Sequence, residues 1–221
     1  QIEFMLTELR TELESVGRID ALQSVGERAV DYYESYPLSD HDDDAMGRRA
    51  RVFHYLGEIQ DNLGNENEAE TLFNQAYAAT EALLARDRQD MQRIFNHAQS
   101  AYWVGYAAWS SDNLPRTQDY FEEYLTLIQA YQKEPSDPRL ALVELSNAYA
   151  NLGVFHGRTQ DLPRSLDNFT RSRDILLGGL DSSPGDEELK ALLSDTYGWL
   201  SSIHARTNNL SESVKFRRDE I

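Results

Sequence analysis

The stretch FHYLGEIQDNLGNENEAETLFNQA, residues 53–76, decides how the rest of the chain is read. Two further stretches align to it without gaps: AYWVGYAAWSSDNLPRTQDYFEEY at 101–124 and YANLGVFHGRTQDLPRSLDNFTRS at 149–172. The offset is a constant 48 residues, carried by Gly57, Gly105 and Gly153 and again by Phe73, Phe121 and Phe169. One more step of 48 reaches YGWLSSIHARTNNLSESVKFRRDE at 197–220. A fixed period of this size is the signature of a repeat architecture, in which no unit can bury its apolar face alone and each stacks on its neighbours.

Each copy reads as two helices joined by a turn. Gly57 lets the two helices of one hairpin approach closely, and Gly64 gives the turn a residue that tolerates unusual backbone angles. Ala69 and Ala76 fall where the second helix crosses the first, and Phe73 fills the space between repeats. The set Phe53, Leu56, Gly57, Gly64, Ala69, Phe73 and Ala76 resembles the tetratricopeptide (TPR) pattern at the family's own spacing. The later copies depart from it. The second keeps Val104, Gly105 and Phe121 but has Asp112 at the turn and Thr117 and Tyr124 in the small places. The third has Gln160, Ser165 and Ser172, and the fourth Ser201 and Arg217. Asn113, Asp161 and Asn209 stand at the start of each second helix as N-caps, twice followed by Leu-Pro, which suits the first helical turn.

The family's usual period is 34 residues, so each unit here has about 14 more. The second helices are expected to be long, over 66–86, 115–133 and 163–178. The connectors Glu134-Pro135-Ser136-Asp137-Pro138 and Ser182-Ser183-Pro184-Gly185-Asp186 read as helix stops. Residues 1–36 read as a further hairpin, with helices at 2–15 and 20–36. Its sequence resembles segments that precede TPR arrays in large bacterial signalling proteins. The expected organisation is one TPR-like array over 1–221: the hairpin at 1–36, repeats at 43–90, 91–138 and 139–186, and a truncated repeat at 187–221. The last second helix stops at Ile221, soon after Phe216 and without a polar cap, so the chain is expected to be a fragment of a longer protein.

Composition narrows the function. The chain has no Cys, which excludes disulfides, zinc–thiolate sites and cysteine nucleophiles. The formal charge is −17, with 38 acidic against 21 basic residues, a poor match to nucleic acid or an anionic membrane. It favours a basic or neutral partner, and equally suits plain solubility or salt adaptation. No apolar run reaches the length of a membrane span.

The resemblance implies an all-α, right-handed superhelical solenoid whose first helices line a concave groove. Carried over residue by residue, the inward positions are Arg51, His54, Tyr55, Glu58, Asp61 and Asn62 in the first copy and Gln99, Tyr102, Trp103, Tyr106 and Trp109 in the second. The third contributes Asn147, Ala150, Asn151, Val154 and Arg158, and the fourth Asp195, Gly198, Trp199, Ser202 and Arg206. Tyr and Trp are large, rigid and partly polar, which suits binding hot spots. Asn147 and Asn151 lie four apart on one helix face, where their amides could bracket an extended peptide backbone. The residues taken as partner-binding are therefore Tyr55, Glu58, Tyr102, Trp103, Tyr106, Trp109, Asn147, Asn151, Arg158 and Trp199. The competing readings are core packing of these aromatics and self-association. The cations that a carboxylate-clamping TPR subclass uses are missing, since His54, Glu58, Trp103, Asn147 and Asn151 hold those places.

The acidic run 39–44 lacks a calcium loop's Gly and bidentate Glu, and reads as the acidic entry to a helix beginning near Asp43. His156 and His204 share one repeat position, and no histidine forms a short metal-ligand pair. No phosphate-binding loop, dinucleotide fingerprint or nucleophile motif is present. The expectation is a non-enzymatic, cofactor-free, cytoplasmic scaffold for a protein or peptide within a signalling or regulatory protein. A ligand-responsive sensor controlling a linked effector and a self-association module, through the open last repeat, are the alternatives.

Overall fold

The computed structural model describes residues 43–219, and these contain eight α-helices and no strand. The helices are α1 Asp43–Asn62, α2 Glu66–Arg86, α3 Met91–Ser110, α4 Leu114–Tyr131, α5 Pro138–Arg158, α6 Leu162–Ser182, α7 Glu187–Arg206 and α8 Leu210–Asp219. The hairpin expected at 1–36 lies outside the described residues, as do Asp40, His41 and Asp42 of the acidic run.

The 48-residue period is written into the backbone. The four described residues with positive φ are Gly64 (80°), Asp112 (59°), Gln160 (65°) and Asn208 (59°), one period apart. Each sits in a turn closed by the same bond: Asn65 N to Gln60 O, Asn113 N to Ala108 O, Asp161 N to His156 O and Asn209 N to His204 O, all 2.8–2.9 Å. This left-handed residue after a helix satisfies carbonyls that would otherwise be orphaned. The cap side chains follow. Asn113, Asp161 and Asn209 accept from the backbone N–H three residues on, at 3.3, 3.2 and 3.5 Å. Asn65 does not cap; its amide donates to Gln60 Oε1 at 2.7 Å. The connectors between repeats carry a second series of caps, Asp90, Asp137 and Asp186, at the starts of α3, α5 and α7.

The second helices are long, as the period requires. α2 spans 66–86 as expected, and α4 ends at Tyr131, two residues early. α6 runs to Ser182, four residues beyond the expected end at 178. The helix runs through Gly178 and Gly179, and buried Gly179 lies under Leu142 and Leu189, where a Cβ would come within 2.8–2.9 Å of their methyls. The close packing keeps the helix going.

The described residues form two compact units divided between Tyr120 and Phe121, within α4. In the first, α1 packs on α2 and α2 on α3. Its core is Phe53, Leu56, Phe73, Leu83, Ile94 and Val104. The close approach inferred at Gly57 is present: a Cβ there would meet the Phe73 ring at 2.4 Å. In the second, α5 packs on α6, α6 on α7 and α7 on α8. One cluster joins Val143, Leu176, Leu189 and Leu193, and another Phe169, Leu200, Ile203 and Phe216. Two serines of the later copies are accommodated by hydrogen bonds, whereas the buried Ser172 Oγ has no partner among the described residues. Ser165 Oγ donates to Gly153 O at 2.7 Å, and Ser201 Oγ to Ser213 O at 2.9 Å.

Candidate functional site

In the first unit, α1 and α3 form the walls of a pocket of about 230 Å³ with Thr80 of α2 in its floor. From α1 come Gly47, Ala50, Arg51, His54, Tyr55 and Glu58; from α3 come Phe95, Asn96, Gln99 and Trp103. Five residues placed on the inner face by sequence reasoning, Arg51, His54, Tyr55, Glu58 and Gln99, thus meet Trp103 around one space. Trp103 has two roles, because its ring also stacks on Phe73 at 5.0 Å and 14°. Tyr102 and Tyr106 set their rings against Trp103 at 5.2 and 5.6 Å. The Tyr106 hydroxyl donates to Asp61 at 3.3 Å, and burial together with the Asp61 charge raises its pKa. Trp109 lies half-buried in the last turn of α3.

Beneath the pocket runs a chain of polar groups of which sequence reasoning placed only His54. Thr80 Oγ1 donates to Ser100 Oγ at 2.9 Å, His97 Nδ1 lies 3.0 Å from Thr80 Oγ1, and His54 Nε2 lies 2.9 Å from Ser100 Oγ. A hydroxyl has one hydrogen. Thr80 Oγ1 also lies 3.2 and 3.0 Å from Ala76 O and Tyr77 O, and Ser100 Oγ 3.2 Å from Asn96 O, so each hydroxyl has a backbone as well as a side-chain acceptor within reach. His54 is neutral at physiological pH, its pKa pushed down to about 4 by burial. Ser100 is fully buried, so its Oγ belongs to the floor and cannot reach a substrate carbonyl. The readable signal was a break in the repeat: Thr80 and His97 stand where the later copies have Ile128 and Leu176, and Leu145 and Leu193.

The remaining candidates lie in the second unit. Asn147 and Asn151 are half-buried on α5, and Arg158 is exposed in its last turn. Trp199 on α7 stacks on Phe169 at 5.5 Å and 7° and is 46% exposed. This reproduces the Trp103–Phe73 pair two repeats on. His156 is buried, which lowers its pKa, and His204 stacks on Phe216 at 5.5 Å. The acidic entry to α1 is tied down: Asp43 binds Arg86 and Arg93, and their guanidinium groups hold its carboxyl below the usual range.

With this geometry, likeness to solved structures becomes informative. BtubC (BKLC) from P. vanneervenii superposes with a TM-score of 0.73 at 15% identity, covering 97% of this chain and 76% of that one. The nearly identical TPR-like repeats of a Podosopora anserina kinesin light chain give 0.65 at 14%, covering 100% and 94%. The fold is of the tetratricopeptide-repeat type. A Rap conjugation gene regulator of the plasmid pLS20, solved with the Phr* peptide, gives 0.59 at 15%, covering 96% of this TPR-like chain and 50% of the regulator. No family model and no curated protein matches the sequence. None of the described helices is long and apolar enough to cross a membrane.

Proposed function

We propose that this TPR-type chain is a peptide-binding scaffold and that the α1–α3 pocket receives one large uncharged side chain of an extended peptide. The carrying observation is the pocket itself, with Tyr55, Phe95 and Trp103 as apolar walls and Asn96, Gln99 and Glu58 supplying polar atoms. A cavity of about 150 Å³ accepts benzene, so about 230 Å³ has room for one aromatic or branched side chain. The neutral floor under His54 suits an uncharged guest. In this reading Tyr102, Tyr106 and Trp109 buttress the pocket, while Asn147, Asn151, Arg158 and Trp199 form a partner-binding surface of the second unit in its own right, within an array over 1–221. The Phr* peptide bound by the structurally similar Rap regulator supports a peptide as the ligand class and a regulatory role in a larger protein.

Gly47 gives a direct test. A Cβ there would meet nothing closer than Arg51 Nη1 at 3.6 Å, so Gly47→Phe fills the pocket without forcing the backbone. Random heptapeptides displayed on phage and selected on wild-type protein should share one large uncharged residue. Their affinity, read by fluorescence anisotropy, should fall at least about tenfold in Gly47→Phe, the loss of about 1.4 kcal/mol of burial. Selected peptides that bind the filled variant equally well would remove the pocket from the site.

A further inference from the structure

The second unit carries a different recognition surface at the positions that build the pocket in the first. Two repeats on, Asn147 and Asn151 replace Arg51 and Tyr55, and Asp195 and Trp199 replace Gln99 and Trp103. The rings that flank Trp103, those of Tyr102 and Tyr106, are replaced by Gly198 and Ser202. Trp199 thus lacks the flanking rings of Trp103, is 46% exposed and is pinned by stacking on Phe169, a rigid indole platform. Asp195 lies four residues before it, on the same face of α7, in the direction towards which helical side chains lean. Asp195 is exposed and has no hydrogen bond or ion pair among the described residues. Other acids of this unit are engaged: Asp167 by Arg171, Asp174 by Arg173, and Asp186 and Glu188 by Arg139.

We propose that Trp199 and Asp195 form a site for the arginine side chain of a peptide, the guanidinium lying over the indole and its N–H fork meeting the carboxylate. A cation over an indole face is attracted by the ring quadrupole. Arginine suits the pair better than lysine, being planar, weakly hydrated and able to meet a carboxylate with two parallel bonds. The formal charge of −17 raises the local concentration of cationic ligands around the chain. This site is separate from the pocket of the first unit and does not depend on it.

The test uses protein labelled with 5-fluorotryptophan, whose three signals are assigned by single Trp→Phe variants. The probe is N-acetyl-Gly-Arg-Gly-amide, and its citrulline counterpart serves as a neutral isostere. The arginine peptide should shift the Trp199 signal with weak, saturable affinity. Asp195→Asn, read by the Trp199 signal, and Trp199→Leu, read by calorimetric titration beside wild type, should each weaken binding at least about threefold, as expected for one exposed ion pair or one cation–π contact. The citrulline peptide should leave the signal unmoved. Asp181→Asn, which removes an exposed acid elsewhere on the unit, should change nothing. Equal binding of citrulline, full affinity in Asp195→Asn, or no response from wild type would each overturn the proposal. Gly47→Phe separates the two sites: it should leave the Trp199 response intact, whatever it does to the phage-selected peptides.

Discussion

Two glycines show how a single atom takes opposite signs in this fold. A methyl on Gly57 would sit 2.4 Å from the Phe73 ring, and Phe73 is held by Ala69, Val104 and the stacked Trp103. Gly57→Ala must displace that ring, and overpacking of this kind costs about 1–3 kcal/mol. Gly178, inside α6, has nothing within 4 Å of its Cβ position. There alanine only lowers the entropy of the unfolded chain and raises helix propensity, a gain of about 0.5–1 kcal/mol. Urea denaturation of the two variants beside wild type should move the midpoints in opposite directions. Equal effects would mean that helix propensity, and not the crossing, governs both. Gly57 was legible in the sequence because its role recurs at Gly153, which meets Phe169 in the same way. The turn residues Asp112, Gln160 and Asn208 were legible only through the period, since nothing intrinsic to Gln forecasts a φ of 65°.

At the scale of elements, the helix pairs and their caps follow from the repeat, whereas the polar layer between α1, α2 and α3 does not. Its four members come from three helices and have no local motif. Two of them, Thr80 and His97, are recognisable as polar residues in places the later copies fill with Ile128 and Leu176, and with Leu145 and Leu193. The α1–α3 pocket was likewise legible as a face but not as an enclosed space. Its floor depends on how α2 lies beneath, which no periodicity encodes. The layer has a measurable consequence. His54 has its pKa lowered in the fold to about 4, so the folded state disfavours the proton that the unfolded chain takes up near 6.5. Its contribution to stability is present above about pH 6.5 and is lost as pH falls towards 4. Between pH 7 and 5 the loss from this group is about 2 kcal/mol, and His156, also lowered by burial, adds in the same direction. His54→Gln keeps an acceptor for Ser100 but cannot titrate. Denaturation curves at pH 7 and 5 should therefore show a smaller acid loss in the variant. The same loss in both proteins would mean that burial does not lower the His54 pKa in the fold.

Across the whole molecule the dominant electrostatic fact is imbalance, 38 acidic residues against 21 basic. Several cations are spent on more than one acid or on a local pair. Arg139 holds Asp186 and Glu188, and the Asp186 carboxyl is pushed down to about 2 by that contact and by its capping bonds. Arg116 holds Glu70, and Lys190 and Lys215 pair with Glu187 and Glu212 within their own helices. Acids still outnumber bases by 17, and the mutual repulsion of this surplus opposes the compact state. Salt weakens both effects, but unequally. Exposed ion pairs contribute only about 0.2–1 kcal/mol each, while repulsion from a net charge of −17 acts over the long distances that salt screens most. The Debye length falls from about 30 Å at 0.01 M to about 8 Å at 0.15 M. Sodium chloride over this range should therefore raise Tm by a few degrees in calorimetry, where about 1 kcal/mol moves Tm by about 2–4 °C for a chain of this size. Chloride is the salt to use, since sulfate would strengthen apolar burial by itself. A Tm that falls with sodium chloride would mean that the Arg139 and Arg116 pairs outweigh the net repulsion. The acid surplus would then be carried without cost at low salt, as a fixed negative field ready for a basic ligand such as the arginine proposed for Trp199 and Asp195.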